Sequence, residues 1–144
     1  ILGSRAAGSK WHSARLTELQ AAGGTDLHGA DLRHSLARRC GLRGADLRGA
    51  RLAGARLSEC DLGDAKLGAV EAYGVLLHRC ILTGADLQRA DLRRASLLQA
   101  QFRRVRLREA NLRDADFTGA DCTGTQLPRT PSRRAEERTE STSA

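Results

Sequence analysis

The chain has 144 residues, a length that fits one domain, and a formal charge of +7. Hydrophobic residues make up 40%, yet the aromatic residues are only Trp11, Tyr73, Phe102 and Phe117, and methionine is absent. A core built on large rings is therefore excluded, a narrow one built on leucine and alanine is expected, and the basic excess predicts acidic partners such as nucleic acid, anionic lipid or an acidic protein face.

Residues 1–24 form an N-terminal segment with a charge of +2. The chain begins at Ile1 rather than Met. That start fits a fragment or a processed form, including an organellar protein after transit-peptide removal; otherwise the protein is expected in the cytoplasm. No signal peptide is visible, and no apolar run is long enough to span a membrane. Ser9–Ala22 reads SKWHSARLTELQAA. Ser9 or Ser13 is placed to start a short helix. Trp11, Leu16 and Leu19 would then pack as a cap on the segment that begins near Leu27.

From Leu27 to Leu127, every fifth position holds a core-type residue. The 21 positions comprise 16 Leu, two Phe (Phe102, Phe117), two Ala (Ala37, Ala72) and Cys122. Two residues earlier, from Thr25 to Thr125, all 21 positions are small: 12 Ala, three Cys, three Val, two Thr and one Ser. A period of five fits neither a helix nor a strand. A helix would spread the leucines around its circumference, and a strand would send them alternately to opposite faces. A chain that turns a corner every five residues keeps every leucine inside. Leu47, Leu87, Leu92, Phe102, Leu107, Leu112 and Phe117 are thus assigned to the core. The remaining three positions of each unit face water and make the turns.

The segments GADLRGARLAGARL (Gly44–Leu57) and GADLQRADLRRASL (Gly84–Leu97) carry the pattern A(D/N)LXX. Over residues 25–129 the chain resembles the pentapeptide-repeat family. The resemblance implies an all-β, right-handed quadrilateral parallel β-helix with four repeats per coil, here about five coils with a short N-terminal helical cap. At roughly 4.8 Å per coil the rod is about 25 Å long. Stability is expected to come from neighbouring coils, with no coil stable alone. Beyond the repeats, Pro128 and Pro131 stop strand pairing, and residues 130–144 read as a disordered polar tail with zero net charge.

With four repeats per coil, residues 20 apart stack. Cys40, Cys60 and Cys80 then form an inward ladder. The spacing is marginal for disulfides, and cysteine acting as a slightly larger alanine is the favoured reading. Cys122, at a central position, is also read as structural. His12, His28, His34 and His78 have no metal-ligand spacing. No Ser/His/Asp or Cys/His set converges, so neither an enzyme nor a cofactor is expected.

Outward positions carry two features. Leu36, Tyr73, Leu76, Ile81 and Leu98 are apolar on an otherwise polar rod, and mark a candidate protein interface; scattered surface apolars are the ordinary alternative. A distortion of the coil at the undersized Ala37 and Ala72 would shift these assignments. Arg89, Arg93, Arg94, Arg103, Arg104, Arg106 and Arg108 form a candidate basic surface that wraps around the rod. Interleaved acids such as Asp86, Asp91, Glu109 and Asp114 can pair with it.

The expected function is a non-enzymatic protein-binding scaffold or an accessory subunit of a larger assembly, for which the family offers a chloroplast precedent. The alternatives are a topoisomerase- or gyrase-interacting protection protein, and a non-specific binder of nucleic acid or an anionic surface. Gyrase-directed members of the family resemble DNA in their negative charge. Here residues 25–129 carry +5, and there is no apolar C-terminal dimerisation helix.

Overall fold

The structure is a computed structural model that describes residues 6–21 and 23–128. The chain winds into a four-sided parallel β-helix. One column of bridges runs Lys10, Asp31, Arg51, Glu71, Asp91 and Asn111, which makes six rungs. From Asp26 onward each bridge joins residues 20 apart, as in Asp26↔Asp46 and Asp46↔Lys66. The expected tail over 130–144 lies outside the described residues.

The core follows from the five-residue period. Leu27, Leu47, Leu87, Leu92, Phe102, Leu107, Leu112 and Phe117 are all buried. The rings of Phe102 and Phe117 meet edge to face, 5.3 Å between centroids. Ala37 and Ala72 stay inside and in register. Their missing volume appears as two small apolar cavities, about 20 Å³ beside Ala37 and about 10 Å³ beside Ala72. The coil keeps its register at both undersized residues and leaves a void instead.

The corners are β-turns. At most of them the small residue donates its N–H to the carbonyl of the central residue three positions earlier, as in Ala30 to Leu27 and Ala50 to Leu47, both 3.0 Å. The second residue after the central one has positive φ, for example Gly29 at 66° and Arg94 at 56°. This is the left-handed value that a type II turn requires at its third residue. The aspartate of the A(D/N)LXX pattern supports the turn directly. Asp26, Asp31, Asp46, Asp61, Asp86, Asp91, Asp116 and Asp121 each accept the backbone N–H two residues on. Asn111 does the same for Arg113. A short side-chain acceptor is what that position needs.

The expected N-terminal helix is not formed. In its place, residues 6–21 make an additional coil. Arg15–Thr17 is strand β1, Trp11 N–H donates to the Asp31 carbonyl at 2.7 Å, and Ala21 N–H donates to the Gly41 carbonyl at 2.8 Å. The cause lies in the sequence. Ala6, Trp11, Leu16 and Ala21 keep the five-residue period, one residue out of phase with Leu27. The first rungs accordingly join residues 21 apart, Lys10↔Asp31, Arg15↔Leu36 and Gln20↔Gly41. A coil there meets the backbone groups that a helix would leave unpaired on the next coil's edge. Trp11, Leu16 and Leu19 pack on the core as expected, but from a coil.

Candidate functional site

One face of the rod differs from the other three. It holds the strands β1 (Arg15–Thr17), β2 (Leu36–Arg38), β3 (Arg56–Ser58) and β4 (Leu76–His78), paired in parallel in the order β1-β2-β3-β4. The other faces are joined by single bridges. Strands β2, β3 and β4 are each followed by a cysteine corner, at Cys40, Cys60 and Cys80. Alanine corners close their turn hydrogen bond at about 3 Å, Ala55 at 2.9 Å and Ala85 at 2.9 Å. Val70 closes at 3.2 Å and Cys80 at 3.4 Å. After β2 and β3 the corner residues are Cys40 and Cys60, and no such bond forms at either among the described residues. Size alone does not open a corner, because Val75 closes its turn at 3.1 Å and no strand precedes it.

The thiols then serve the opened corners. Cys60 Sγ donates to the Ala37 carbonyl of the coil before at 3.6 Å, and Cys80 Sγ donates to the Leu57 carbonyl at 3.4 Å. Cys40 reaches the Leu16 carbonyl at 3.3 Å. All four cysteines are buried and unbridged. Burial pushes the Cys40 thiol up from its ordinary value. A hydrogen bond with Cys80, followed by burial, does the same for Cys60. The same hydrogen bond with Cys60 lowers Cys80, while Cys40 and Cys60 are held protonated, which makes those two poor nucleophiles and poor metal ligands. The ladder is more than enlarged alanine, since it satisfies backbone.

The outward side of the strand face is a two-column surface. One column runs Arg15, Leu36, Arg56, Leu76 in direct register. The other runs Thr17, Arg38, Ser58, His78. Leu36 is 41% exposed, one of two large apolar side chains so open among the described residues. Leu76 is half-buried. One rung beyond β4, Ser96 hydrogen-bonds His78 Nε2 at 3.0 Å, and the half-buried Leu98 continues the second column. These strands carry no carboxylate.

The five candidate interface residues are therefore divided. Leu36, Leu76 and Leu98 share the strand face. Ile81 is half-buried on the adjoining face, bridged to Asp61 and Gln101. Tyr73, 42% exposed, lies on another face, where Arg93 and Arg94 cover its ring at 5.5 and 6.0 Å.

The candidate basic surface is largely neutralised within the molecule. Arg93 pairs with Asp91 at 2.7 Å, Arg103 with Asp121 at 2.6 Å, Arg106 with Asp86 at 3.1 Å, and Arg89 with Glu109 at 3.1 Å. Arg108 lies 3.5 Å from the same glutamate. Hydrogen bonds from the Arg33 side chain hold the Asp31 carboxyl well below the usual range, and the Thr123 hydroxyl holds Asp121 at about 2. Arg104 has no ion pair among the described residues. Sequence reasoning assigned these arginines to the basic surface; it also marked Arg38 and Arg56, within a second arginine-rich stretch from Arg33 to Arg56, but not Arg15. Those three have no ion pair among the described residues, and all stand on the strand face. Their signal was an outward column without an acid.

Among the described residues no group of three or more His, Cys, Asp or Glu could hold a metal ion, and no helix is long and apolar enough to cross a membrane. The family model for pentapeptide repeats matches residues 25–64, 60–97, 73–108 and 95–130, with eight copies. The chain belongs to the pentapeptide-repeat family. Solved structures similar to this pentapeptide-repeat chain include trypsin-treated QnrB1 (R167E), a plasmid-mediated fluoroquinolone resistance protein. It is 21% identical, with 83% of this chain and 68% of that one covered and a TM-score of 0.54. HetL of Nostoc sp. strain PCC 7120, involved in heterocyst differentiation regulation, is 29% identical over 86% of this chain and 64% of its own, TM-score 0.40. A thylakoid-lumen pentapeptide repeat protein of Arabidopsis thaliana is 24% identical over 76% and 70%, TM-score 0.36. The chain thus spans about two thirds of each of them. No curated protein matches it.

Proposed function

We propose that this pentapeptide-repeat protein is a non-catalytic scaffold that docks a protein partner on the β1–β4 face, as an accessory subunit of a larger assembly. The observation that carries this reading is Leu36. It stands 41% exposed at the centre of the only regular sheet among the described residues, flanked in register by Arg15 and Arg56. A flat strand surface with an exposed aliphatic anchor and arginines around it has the composition of an interface centre and its surround. Elsewhere on the rod the arginines are mostly spent on internal carboxylates, which weakens the case for a phosphate-binding surface. The net basic charge of the repeats has the wrong sign for a surface that stands in for DNA.

Site-specific photo-cross-linking in native extract tests the reading. A photoreactive residue is placed at Leu36 or, as control, at Lys66 on the opposite face. A defined protein adduct from the Leu36 position, absent from the Lys66 position, is expected. Equal adducts from both positions, or none from either with the protein running alone near 15.5 kDa, would overturn it.

A further inference from the structure

We infer that the segment recognised by the β1–β4 face is acidic, with aliphatic side chains set among its carboxylates; this rests on the docking reading above. The face offers positive charge that nothing in the described molecule answers. Arg15, Arg38 and Arg56 are exposed and without an ion pair among the described residues. The contrast with the rest of the rod is sharp. Arg33, Arg48 and Arg93 each take the aspartate two residues earlier, at 2.7, 2.6 and 2.7 Å. The repeat pattern supplies that aspartate. On β1–β4 the same position is filled by Arg15, Leu36, Arg56 and Leu76. The internal acceptor is thus replaced by alternating cation and aliphatic residue.

The geometry fixes the order of chemistry along the rod. Register places Leu36 between Arg15 and Arg56, and Arg56 between Leu36 and Leu76. Rungs are roughly 4.8 Å apart, so like groups recur at about 9.6 Å, a span that one short peptide segment reaches. Arg38 stands in the second column beside Leu36, between Thr17 and Ser58, which are short and leave it room. Guanidinium groups match carboxylates in bidentate geometry. Two aliphatic side chains between them favour a partner that also brings apolar groups. A nucleic acid would bury Leu36 and Leu76 against phosphate for no gain. It would also find no aromatic platform on β1–β4, because Tyr73 lies on another face under Arg93 and Arg94.

The test is fluorescence anisotropy with the full chain and three labelled probes: a peptide of interspersed aspartate and leucine, the same peptide with lysine for every aspartate, and a single-stranded oligodeoxynucleotide. The acidic peptide is expected to bind and the lysine peptide not to bind. Arg56→Glu and Arg38→Glu, both at exposed positions, should each weaken the acidic peptide about tenfold or more through like-charge repulsion. Lys66→Glu should leave it unchanged, and melting curves confirm that all variants fold. Absence of acidic-peptide binding, binding indifferent to both arginine variants, or displacement by the oligodeoxynucleotide at lower concentration than by unlabelled peptide would overturn the inference. If any of these occurs while the Leu36 cross-link still captures a partner specifically, docking stands and only its acidic chemistry falls. Loss of that cross-link removes the docking reading itself.

Discussion

The Thr125 hydroxyl donates to the Phe102 carbonyl at 2.5 Å, one coil back in the solenoid. The same oxygen accepts the Val105 N–H at 3.0 Å. It thereby bridges a turn that does not close on itself, as Cys60 and Cys80 do at the carbonyls of Ala37 and Leu57. Three corners, two bridged by a thiol and one by a hydroxyl, share one solution, in which a small polar side chain from the next coil satisfies an opened turn.

Thr125→Val keeps the shape and deletes both bonds. It should cost about 1–3 kcal/mol, the penalty for leaving buried backbone groups unsatisfied. Thr125→Ser should retain most of the stability. Urea unfolding of the two variants provides the comparison. Equal midpoints for valine and wild type would show that the bridge contributes nothing.

The void beside Ala72 predicts a stabilising substitution. Its column neighbours Leu52 and Leu92 fill the equivalent site. The void is small, about 10 Å³, so Ala72→Val should raise stability by at most about 1 kcal/mol, whereas Ala72→Leu should overpack the core and lower the melting temperature. In the same core Leu87→Asp places a charge without a partner at a fully buried site. It should unfold the central coils, visible as loss of the β signal in circular dichroism.

Asp121 should titrate far below an ordinary aspartate. Its folded value is about 2, against 3.8 unperturbed, chiefly because it accepts the Thr123 hydroxyl and N–H, with Arg103 adding to the effect. A depressed carboxyl contributes stability above its unfolded value, and that contribution disappears as the pH falls through the folded one. Stability should therefore hold from neutrality to about pH 4 and decline between there and about pH 2. Asp31, Asp46 and Asp91 shift in the same direction through Arg33, Arg48 and Arg93. Carboxyl NMR titration reads Asp121 directly, and Thr123→Val should move its midpoint upward.

Thiol labelling checks the cysteine ladder. Cys40, Cys60, Cys80 and Cys122 are buried, which shields them from reagent, and the shifts of Cys40 and Cys60 oppose thiolate formation whereas that of Cys80 does not. Iodoacetamide should modify none of them in the native protein and all four after unfolding, as counted by intact mass. Rapid native labelling at Cys60 would show that the coil opens there.

The sequence alone determined the inside of this protein. A five-residue period of leucines, with a small residue two places before each, admits few arrangements that bury every leucine, and Leu47, Leu87 and Phe117 follow at once. The aspartate before Leu27, Leu32, Leu47, Leu62, Leu87 and Leu92 was legible too, although its reason, acceptance of the N–H two residues on, needed the turn geometry. The tertiary structure decided everything that depends on which residues meet across coils. One residue inserted between Gln20 and Asp26 shifts the phase, so Ser9–Ala22 read locally as a helix, yet residues 9–21 pair as a coil because the next coil's edge demands backbone partners. The arginines likewise look alike along the chain. Arg93 takes Asp91 two residues before it, whereas Arg56 is left to solvent because its strand has no carboxylate and stacking places it between Leu36 and Leu76.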